Sequence, residues 1–139
     1  MPFWKKPHES ADWLANVAFF EGFGSDELSR VLELSTEVEE PAGTLILDQG
    51  DTGQDCFVIV AGSANVFIGG EHVATLGAGS MLGEMSLVDH RPRTAAVVAE
   101  TPVKLLRFDS QQFKRLLAEM PKAEERVLAL LQARLQQNR

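Results

Sequence analysis

Residues 79 to 101 read G-S-M-L-G-E-M-S-L-V-D-H-R-P-R-T-A-A-V-V-A-E-T. A glycine and a carboxylate stand side by side at Gly83 and Glu84, and an arginine follows at Arg93. The apolar, valine-rich run from Ala95 to Ala99 predicts a short buried strand directly after this arginine. The stretch therefore places several chemically distinct polar groups immediately before a strand of the core.

The polar groups of this stretch match a phosphate-bearing ligand. Between Gly83 and Ser86 the chain can turn tightly and present successive backbone N–H groups, which favours an anion. The guanidinium of Arg93 has the planar fork that suits a phosphate or a carboxylate. Glu84 would repel a phosphate, so we expect it to accept from neutral hydroxyls or to hold Arg93. Anion donors beside one hydroxyl-accepting carboxylate describe a sugar phosphate.

The same segment resembles the phosphate-binding cassette of cyclic nucleotide-binding domains. The matching residues read G-E-M-S-L at 83–87 and R-P-R-T-A-A-V at 91–97. Upstream, G-T-L-I-L-D-Q-G-D at 43–51 and C-F-V-I-V-A-G-S-A-N-V-F at 56–67 resemble the early strands of that family. These domains occur in catabolite-activator-type regulators, protein kinase regulatory subunits and cyclic nucleotide-gated channels. One departure is Leu82, where a phenylalanine is common, and this swap affects packing alone.

The resemblance implies a fold and a ligand site. The fold is mainly β with flanking α, a jelly-roll-like β roll with N-terminal helices and C-terminal lid helices. Arg93 is expected to pair with the exocyclic oxygens of a cyclic phosphate, and Glu84 to accept from the ribose 2′-hydroxyl. The implied ligand-binding residues are Gly83, Glu84, Met85, Ser86, Arg93, Thr94 and Ala95.

The resemblance also bears on the identity of the ligand. In the family, a hydroxyl residue after the arginine can bond the guanine 2-amino group, so Thr94 leaves cGMP open. Many bacterial members carry Thr or Ser at this position and take cAMP, and cAMP is the ligand we expect. No cofactor or metal is expected beside the nucleotide.

Periodicity and turn signals predict helices at both ends of the chain and strands between them. Gly69-Gly70 lies between two strand patterns and predicts a tight hairpin. Short strands with frequent glycine turns favour a jelly-roll-like sandwich or barrel. Helices are predicted from Ser10, from a cap at Ser25, from a cap at Asp109 and from Lys122 to about Gln136, with a break at Pro121. Residues 38–43 are expected to end the first helical region, and strands are predicted at 44–47, 56–61, 64–68, 71–76, 95–99 and 103–108.

Composition predicts one domain with its own core, since the chain has 139 residues and is 45% hydrophobic. We expect residues 1–10 to form an N-terminal arm and residues 11–139 to form the domain. The net charge of −7 argues against a nucleic-acid partner. A single cysteine and the lack of an apolar run of about 20 residues favour a cytoplasmic protein with no membrane partner. Because the chain stops at Arg139, we expect a stand-alone sensor that signals to a protein partner, which the sequence does not identify.

Other candidate residues receive structural interpretations. Asp48, Asp51 and Asp55 are interpreted as turn-capping carboxylates, because they lack the spacing and terminal Glu of a calcium loop. Arg91 is interpreted as a solvated loop charge. Cys56 has no nearby base, so a nucleophilic role is not expected and no enzyme is predicted. The scattered histidines, His8, His72 and His90, do not have the spacing of a metal site.

The final helix is the predicted moving part. The cassette supplies polar contacts for ribose and phosphate but leaves the flat face of a purine uncovered. Pro121 provides a hinge at the base of the helix, and in related domains this helix closes over the base. Permanent packing of the helix on the roll is the alternative, and a homodimer through the helix is left open. The expected lid residues are Val127, Leu128, Leu131 and Leu135.

Two alternative functions follow from the same architecture. A degenerate module would bind no nucleotide and would serve as an interaction or dimerisation domain, which an intact Glu84 and Arg93 argue against. A cupin-like metalloenzyme would use the same β roll, which the scattered histidines argue against.

Overall fold

The predicted β roll is confirmed by a computed structural model that describes residues 14, 17–51, 53, 55–83 and 92–137. Eight strands and three α-helices lie within this part of the chain. The strands are β1 (Thr36–Glu40), β2 (Leu45–Leu47), β3 (Asp55–Ala61), β4 (Ala64–Ile68), β5 (Glu71–Leu76), β6 (Met81–Leu82), β7 (Ala96–Ala99) and β8 (Val103–Asp109). The helices are a 3-10 helix (Ala18–Phe20), α1 (Ser25–Leu34), α2 (Ser110–Glu119) and α3 (Pro121–Gln137).

The strands form two antiparallel four-stranded sheets. Sheet A has the order β1-β8-β3-β6, and sheet B has the order β2-β7-β4-β5. The hairpin between β4 and β5 turns at Gly69 and Gly70, whose φ angles are 59° and 82°. These left-handed values favour glycine and confirm the predicted two-residue turn.

Sheet A is covered on both faces. On β3 and β8, Cys56, Val58, Leu106 and Phe108 face the helices and join the aromatic cluster of the N-terminal segment. The alternate residues face sheet B, because successive side chains of a strand point to opposite faces. The resulting core between the sheets consists of Leu47, Ile59, Ala64, Leu82, Val97, Ala99, Val103 and Leu105.

The N-terminal segment, residues 14 and 17–23, supplies aromatic side chains to the core between sheet A and the helices. We call this core the helix-side core. Phe19, Phe20 and Phe23 are buried, and the centroids of neighbouring rings lie 5.1 Å and 5.5 Å apart in edge-to-face arrangements. The bend at these aromatic residues therefore fills a corner of the core. The predicted helix from Ser10 lies mostly outside the described residues, as does the predicted arm. Ala18 is exposed.

Two predicted boundaries are wrong. The cap of α1 is Gly24 and not Ser25, because the main-chain N–H of Gly24 donates to Glu27 Oε1 at 2.8 Å. Residues 38–43 were expected to end the helical region, yet residues 36–40 form β1, which pairs along its length with β8. The pattern T-E-V-E-E has one apolar residue, Val38, because β1 is an edge strand with limited contact to the core.

The C-terminal helices confirm the predicted cap and break. Asp109 Oδ1 accepts from the main-chain N–H of Gln112 at 2.8 Å, and Gln112 Oε1 accepts from the N–H of Asp109 at 2.9 Å. Pro121 separates α2 from α3 and is the first residue of α3, where its missing N–H costs no hydrogen bond. Among the described residues, no helix combines the length and the apolar character that crossing a bilayer requires.

Two ion pairs connect α1 to the C-terminal helices. Glu119 accepts from Arg30 Nε at 2.7 Å and from Arg30 Nη2 at 2.9 Å. This hydrogen bonding lowers the pKa of Glu119 from its ordinary value of 4.5. A hydrogen bond from the main-chain N–H of Gly24, followed by one from Lys122, lowers the pKa of Glu27 in the same direction. Both carboxylates therefore favour the ionised form in the folded state.

We predict that these carboxylates contribute to acid denaturation. Because their pKa is lower in the folded state, their stabilisation is present above the ordinary value of 4.5 and is lost as the pH falls through the folded-state pKa. Glu119→Gln should melt at a lower temperature than the wild type at neutral pH. It should also lose less of its melting temperature between about pH 5 and about pH 3.

Thermal melting followed by circular dichroism across this range measures both effects. Glu125→Gln, at an exposed position of α3, is the matched control and should follow the wild-type curve. A wild-type acid profile in Glu119→Gln would contradict the prediction.

Candidate functional site

A cavity of about 320 Å³ lies where β2 and β3 face each other between the two sheets. Its size falls in the range of pockets that hold a small ligand. The walls combine apolar side chains of the strands with polar groups of the loop between β2 and β3. The lining residues are Ile46, Leu47, Asp48, Asp51, Gly53, Asp55, Phe57 and Arg93.

The main chain of Arg93 is fixed to the loop after β2. Its N–H donates to the carbonyl of Asp51 at 2.7 Å, and its carbonyl accepts from the N–H of Gly50 at 2.8 Å. These two bonds continue the antiparallel pairing of β2 with β7 toward the cavity. The backbone that carries Arg93 is therefore held by the loop that lines the site.

The guanidinium of Arg93 lies between two glycines. Its Nη2 donates to the main-chain carbonyl of Asp55 at 2.8 Å. A Cβ atom added to Gly53 would lie 1.8 Å from Nη2 and 2.1 Å from Cζ. A Cβ atom added to Gly83 would lie 2.2 Å from Nη1, and the φ of Gly83 is +82°. Both positions leave room for the guanidinium only because they carry no side chain, and together they form what we call the glycine slot.

Three aspartates, Asp48, Asp51 and Asp55, line the cavity together with this cation. Asp48 and Asp51 stand in the turn after β2, where the N–H of Asp51 donates to the carbonyl of Asp48 at 3.3 Å. A turn is present at Asp48 and Asp51, but Asp55, also predicted to cap a turn, begins β3 instead. All three aspartates line the cavity, which the sequence did not predict. Asp55 Oδ2 lies 3.4 Å from Nη1 of Arg107 on β8. The site thus combines a central cation with acceptors for hydroxyl or amino groups.

The structure brings together part of the predicted site. Gly83 and Arg93 are in contact range across the glycine slot, while Thr94 is exposed and Ala95 is half-buried at the start of β7. Glu84, Met85, Ser86 and Arg91 lie outside the described residues, and their predicted roles stay predictions. Within the described residues, no cluster of His, Cys, Asp and Glu could hold a metal ion.

The predicted lid residues lie on a helix that is packed against the N-terminal segment. Val127 is 1% exposed and belongs to the helix-side core, and Leu131 packs against the same core. Leu128 is 52% exposed. The side chain of Leu135 lies outside the described part of the chain. The first turns of α3 are therefore docked in this structure, and movement of the helix stays a prediction.

Basic side chains of α3 hold this docked arrangement. The guanidinium of Arg126 donates to the main-chain carbonyls of Phe19 and Glu21, at the end of the 3-10 helix. It also lies over the ring of Phe23, with Cζ 5.3 Å from the ring centroid. Lys122 Nζ donates to the carbonyl of Gly22 at 2.9 Å and to Glu27 Oε1 at 3.0 Å. Carbonyls that the 3-10 helix leaves without partners are thus satisfied by α3.

Gly53 is the residue that sequence reasoning missed most clearly. It stands 40 positions before Arg93, in the loop between β2 and β3. Phe57 and Ile46 were predicted as strand residues without a place in the site, and they contribute the apolar wall.

A family model described as "Cyclic nucleotide-binding domain" matches residues 37–120 of this chain. The match runs from the second residue of β1 through the end of α2 and includes all of both sheets except Thr36. It contains every residue that lines the cavity.

Individual relatives agree with this match. The chain is 34% identical over 102 residues to a cAMP-dependent protein kinase type II regulatory subunit of Drosophila melanogaster, covering 73% of this chain and 27% of that protein. It is 32% identical over 123 residues to a cyclic AMP receptor protein of Thermus thermophilus, covering 85% of this chain and 57% of that protein. The chain therefore spans between about a quarter and just over half of the length of these relatives.

A solved structure shows the same architecture. The catabolite activator protein of Thermus thermophilus superposes with a TM-score of 0.78 at 31% sequence identity. The superposition covers 87% of this chain and 59% of that one. This chain therefore shares two packed sheets with helices on one side with the catabolite activator protein.

We predict that Gly53→Ala displaces the Arg93 guanidinium without unfolding the protein. The new methyl group would overlap the guanidinium, which is the end of a flexible side chain and can swing away. Replacing glycine by alanine changes stability by roughly 0.4–1 kcal/mol when the backbone conformation suits both. The melting temperature should therefore change by a few degrees at most, while the ¹H–¹⁵N NMR signal of Arg93 Nε should move.

Gly77→Ala is the matched control, because a Cβ at Gly77 meets no heavy atom within 4 Å. It should leave both the melting temperature and the Arg93 signal near their wild-type values. An unmoved Arg93 signal in Gly53→Ala would show that the guanidinium does not occupy the glycine slot.

Proposed function

This chain belongs to the family of cyclic nucleotide-binding domains, and from that premise we propose that its cavity binds a cyclic nucleotide, with cAMP as the ligand. The single observation that carries the proposal is the position of Arg93. Its guanidinium is placed in the cavity by main-chain bonds to Gly50 and Asp51 and by the glycine slot. A cation fixed in this way is prepared to receive a phosphate without further ordering.

The cyclic phosphate contacts Arg93 in this proposal. A guanidinium can pair with two phosphate oxygens at once, which fixes orientation as well as charge. Gly83 and the residues that follow it supply backbone N–H groups to the same phosphate, with Met85 and Ser86 among them. Glu84 accepts from the ribose hydroxyl. The apolar side chains of Ile46 and Phe57 form the wall against which the sugar packs.

The preference for cAMP rests on the relatives named above, which are a cAMP-dependent kinase subunit and a cyclic AMP receptor. Thr94 does not discriminate between the two nucleotides, because its exposed hydroxyl follows Arg93 directly and can serve either the phosphate or a guanine amino group. Calorimetric titration with cAMP and cGMP side by side ranks the two ligands, and a higher affinity for cGMP would reverse the assignment.

The proposed role is regulatory. Cyclic nucleotide-binding domains are regulatory domains and not enzymes, and we propose that this chain likewise senses its ligand without converting it. The output is a rearrangement of α3 that a protein partner reads. Arg126 and Lys122 support this proposal, because they hold α3 through hydrogen bonds to main-chain carbonyls of the N-terminal segment. Replacing such hydrogen bonds by hydrogen bonds to water changes the free energy little.

We predict that cAMP stabilises the wild-type protein and that Arg93→Leu abolishes most of the effect. A ligand that binds only the folded state at about 100 times its Kd adds about 2.7 kcal/mol, which raises the melting temperature of a chain of this size by several degrees. Loss of the cation facing a desolvated phosphate typically costs about 2–5 kcal/mol, or roughly thirty- to several-thousand-fold in affinity. Calorimetry and thermal melting measure both quantities.

Arg115→Leu is the control for loss of one positive charge, since Arg115 is an exposed residue of α2. It should bind cAMP like the wild type. Wild-type affinity in Arg93→Leu would place the phosphate elsewhere, and no response of the wild type to millimolar cAMP or cGMP would favour the module that binds no nucleotide.

We predict that nucleotide orders the second half of α3. Ala123 and Val127 already pack in the helix-side core, whereas Leu128 is exposed and lies on the part of the helix that can close over a purine. The ligand can move this part only through contacts that it makes better in the closed state. Hydrogen exchange at residues 128–135 should slow on addition of saturating cAMP.

The internal control is α1, whose exchange should change much less than that of α3. Equal exchange in α3 with and without saturating cAMP would mean that the helix is a permanent part of the scaffold.

A further inference from the structure

Asp55 contacts two arginines through two different groups. Its main-chain carbonyl accepts from Arg93 Nη2 at 2.8 Å, and its carboxylate Oδ2 lies 3.4 Å from Arg107 Nη1. Asp55 begins β3 and lines the cavity. One residue therefore connects the cation of the site to a second arginine on β8, outside the segment that matches the phosphate-binding cassette.

The sheet register explains why these two side chains meet. Asp55 stands opposite Asp109, and Phe57 stands opposite Arg107 in the pairing of β3 with β8. Asp55 and Arg107 are therefore diagonal neighbours on one face of the sheet, a separation that a long side chain can bridge. The carboxylate of Asp109 accepts from the N–H of Gln112 and caps α2. Arg107 is thus the cross-strand neighbour that offers the Asp55 carboxylate an opposite charge.

The carboxylate of Asp55 is tethered close to Arg93, because it belongs to the residue whose main-chain carbonyl accepts from Arg93 Nη2. A carboxylate released from Arg107 would be available to pair with this second guanidinium. A guanidinium pairs with a carboxylate in the same two-pronged geometry that it uses for a phosphate. Because Asp55 is already tethered beside Arg93, its carboxylate competes at high effective concentration.

We propose that Arg107 is a positioning residue of this site: it holds the Asp55 carboxylate and thereby stops that carboxylate from competing with a ligand phosphate for Arg93. This inference rests on the proposed function for its phosphate. Its structural half, the coupling of Arg107 to Arg93 through Asp55, can be measured without a ligand.

The binding test is a mutant cycle in the full chain, with cAMP titrated by calorimetry. Arg107→Met should weaken binding about two- to fivefold, as expected for a partly exposed pair. The double variant with Asp55→Asn should return to within about twofold of the wild type. Arg107→Lys keeps the charge and should bind like the wild type, so a loss in Arg107→Met that is absent from Arg107→Lys assigns the effect to the charge of Arg107.

Asp51→Asn tests whether Arg107 acts through the Asp55 carboxylate or only through the electrostatic potential of the cavity. Asp51 lines the same cavity and carries the same charge as Asp55. If Arg107 acted only through its field in the cavity, Asp51→Asn would restore binding to Arg107→Met as well as Asp55→Asn does. Equal restoration by the two substitutions would overturn the proposal, and restoration by Asp55→Asn alone supports it.

The measurement without ligand follows the Arg93 Nε–H signal by ¹H–¹⁵N NMR, with the signal identified by its loss in Arg93→Lys. Arg107→Met should move this signal, and adding Asp55→Asn should return it toward its wild-type position. A signal that Arg107→Met leaves in place would overturn the proposal. Absence of cAMP binding in the wild type would overturn the proposed function, while the NMR result would still decide whether Arg107 acts on Arg93.

Discussion

The antiparallel pairing of β3 with β8 is the constraint on which the rest of the structure depends. These two strands are buried on both faces, by the helices on one side and by sheet B on the other. At one end of the pair, Asp55 lines the cavity, Arg107 meets its carboxylate, and Asp109 caps α2. A shift of one residue in this register would send the apolar side chains of the shifted strand to the wrong face and would separate Asp55 from Arg107.

The site owes its shape to missing side chains as much as to those present. Gly53 and Gly83 come from different parts of the chain, yet each leaves the volume that the Arg93 guanidinium occupies. The carbonyl of Asp55 then fixes the orientation of the guanidinium. The two glycines and one hydrogen bond hold the Arg93 side chain in one orientation. Little side-chain conformational entropy is therefore lost when a ligand binds.

Sequence patterns predicted the parts of the fold that local chemistry determines. The strands at residues 64–68 and 71–76, the glycine hairpin between them and the cap at Asp109 follow from periodicity and turn chemistry. The edge strand β1 was missed because it carries one apolar residue, and β6 was missed because two residues are too few to show a period. The match to the cassette identified Arg93, but Gly53 could not be assigned to the site without knowing that the two residues meet across the roll.

The ladder between β1 and β8 also has a consequence for synthesis on the ribosome. Thr36 pairs with Arg107 and Glu40 with Val103. The first strand of sheet A to be synthesised, β1, therefore cannot pair until the last strand, β8, has been synthesised. Until β8 has emerged, β3 lacks its principal neighbour, and its apolar residues are without the partners that bury them in the finished roll. Contacts so distant along the chain close slowly. The nascent chain therefore depends most on chaperones in the interval between translation of β3 and translation of β8.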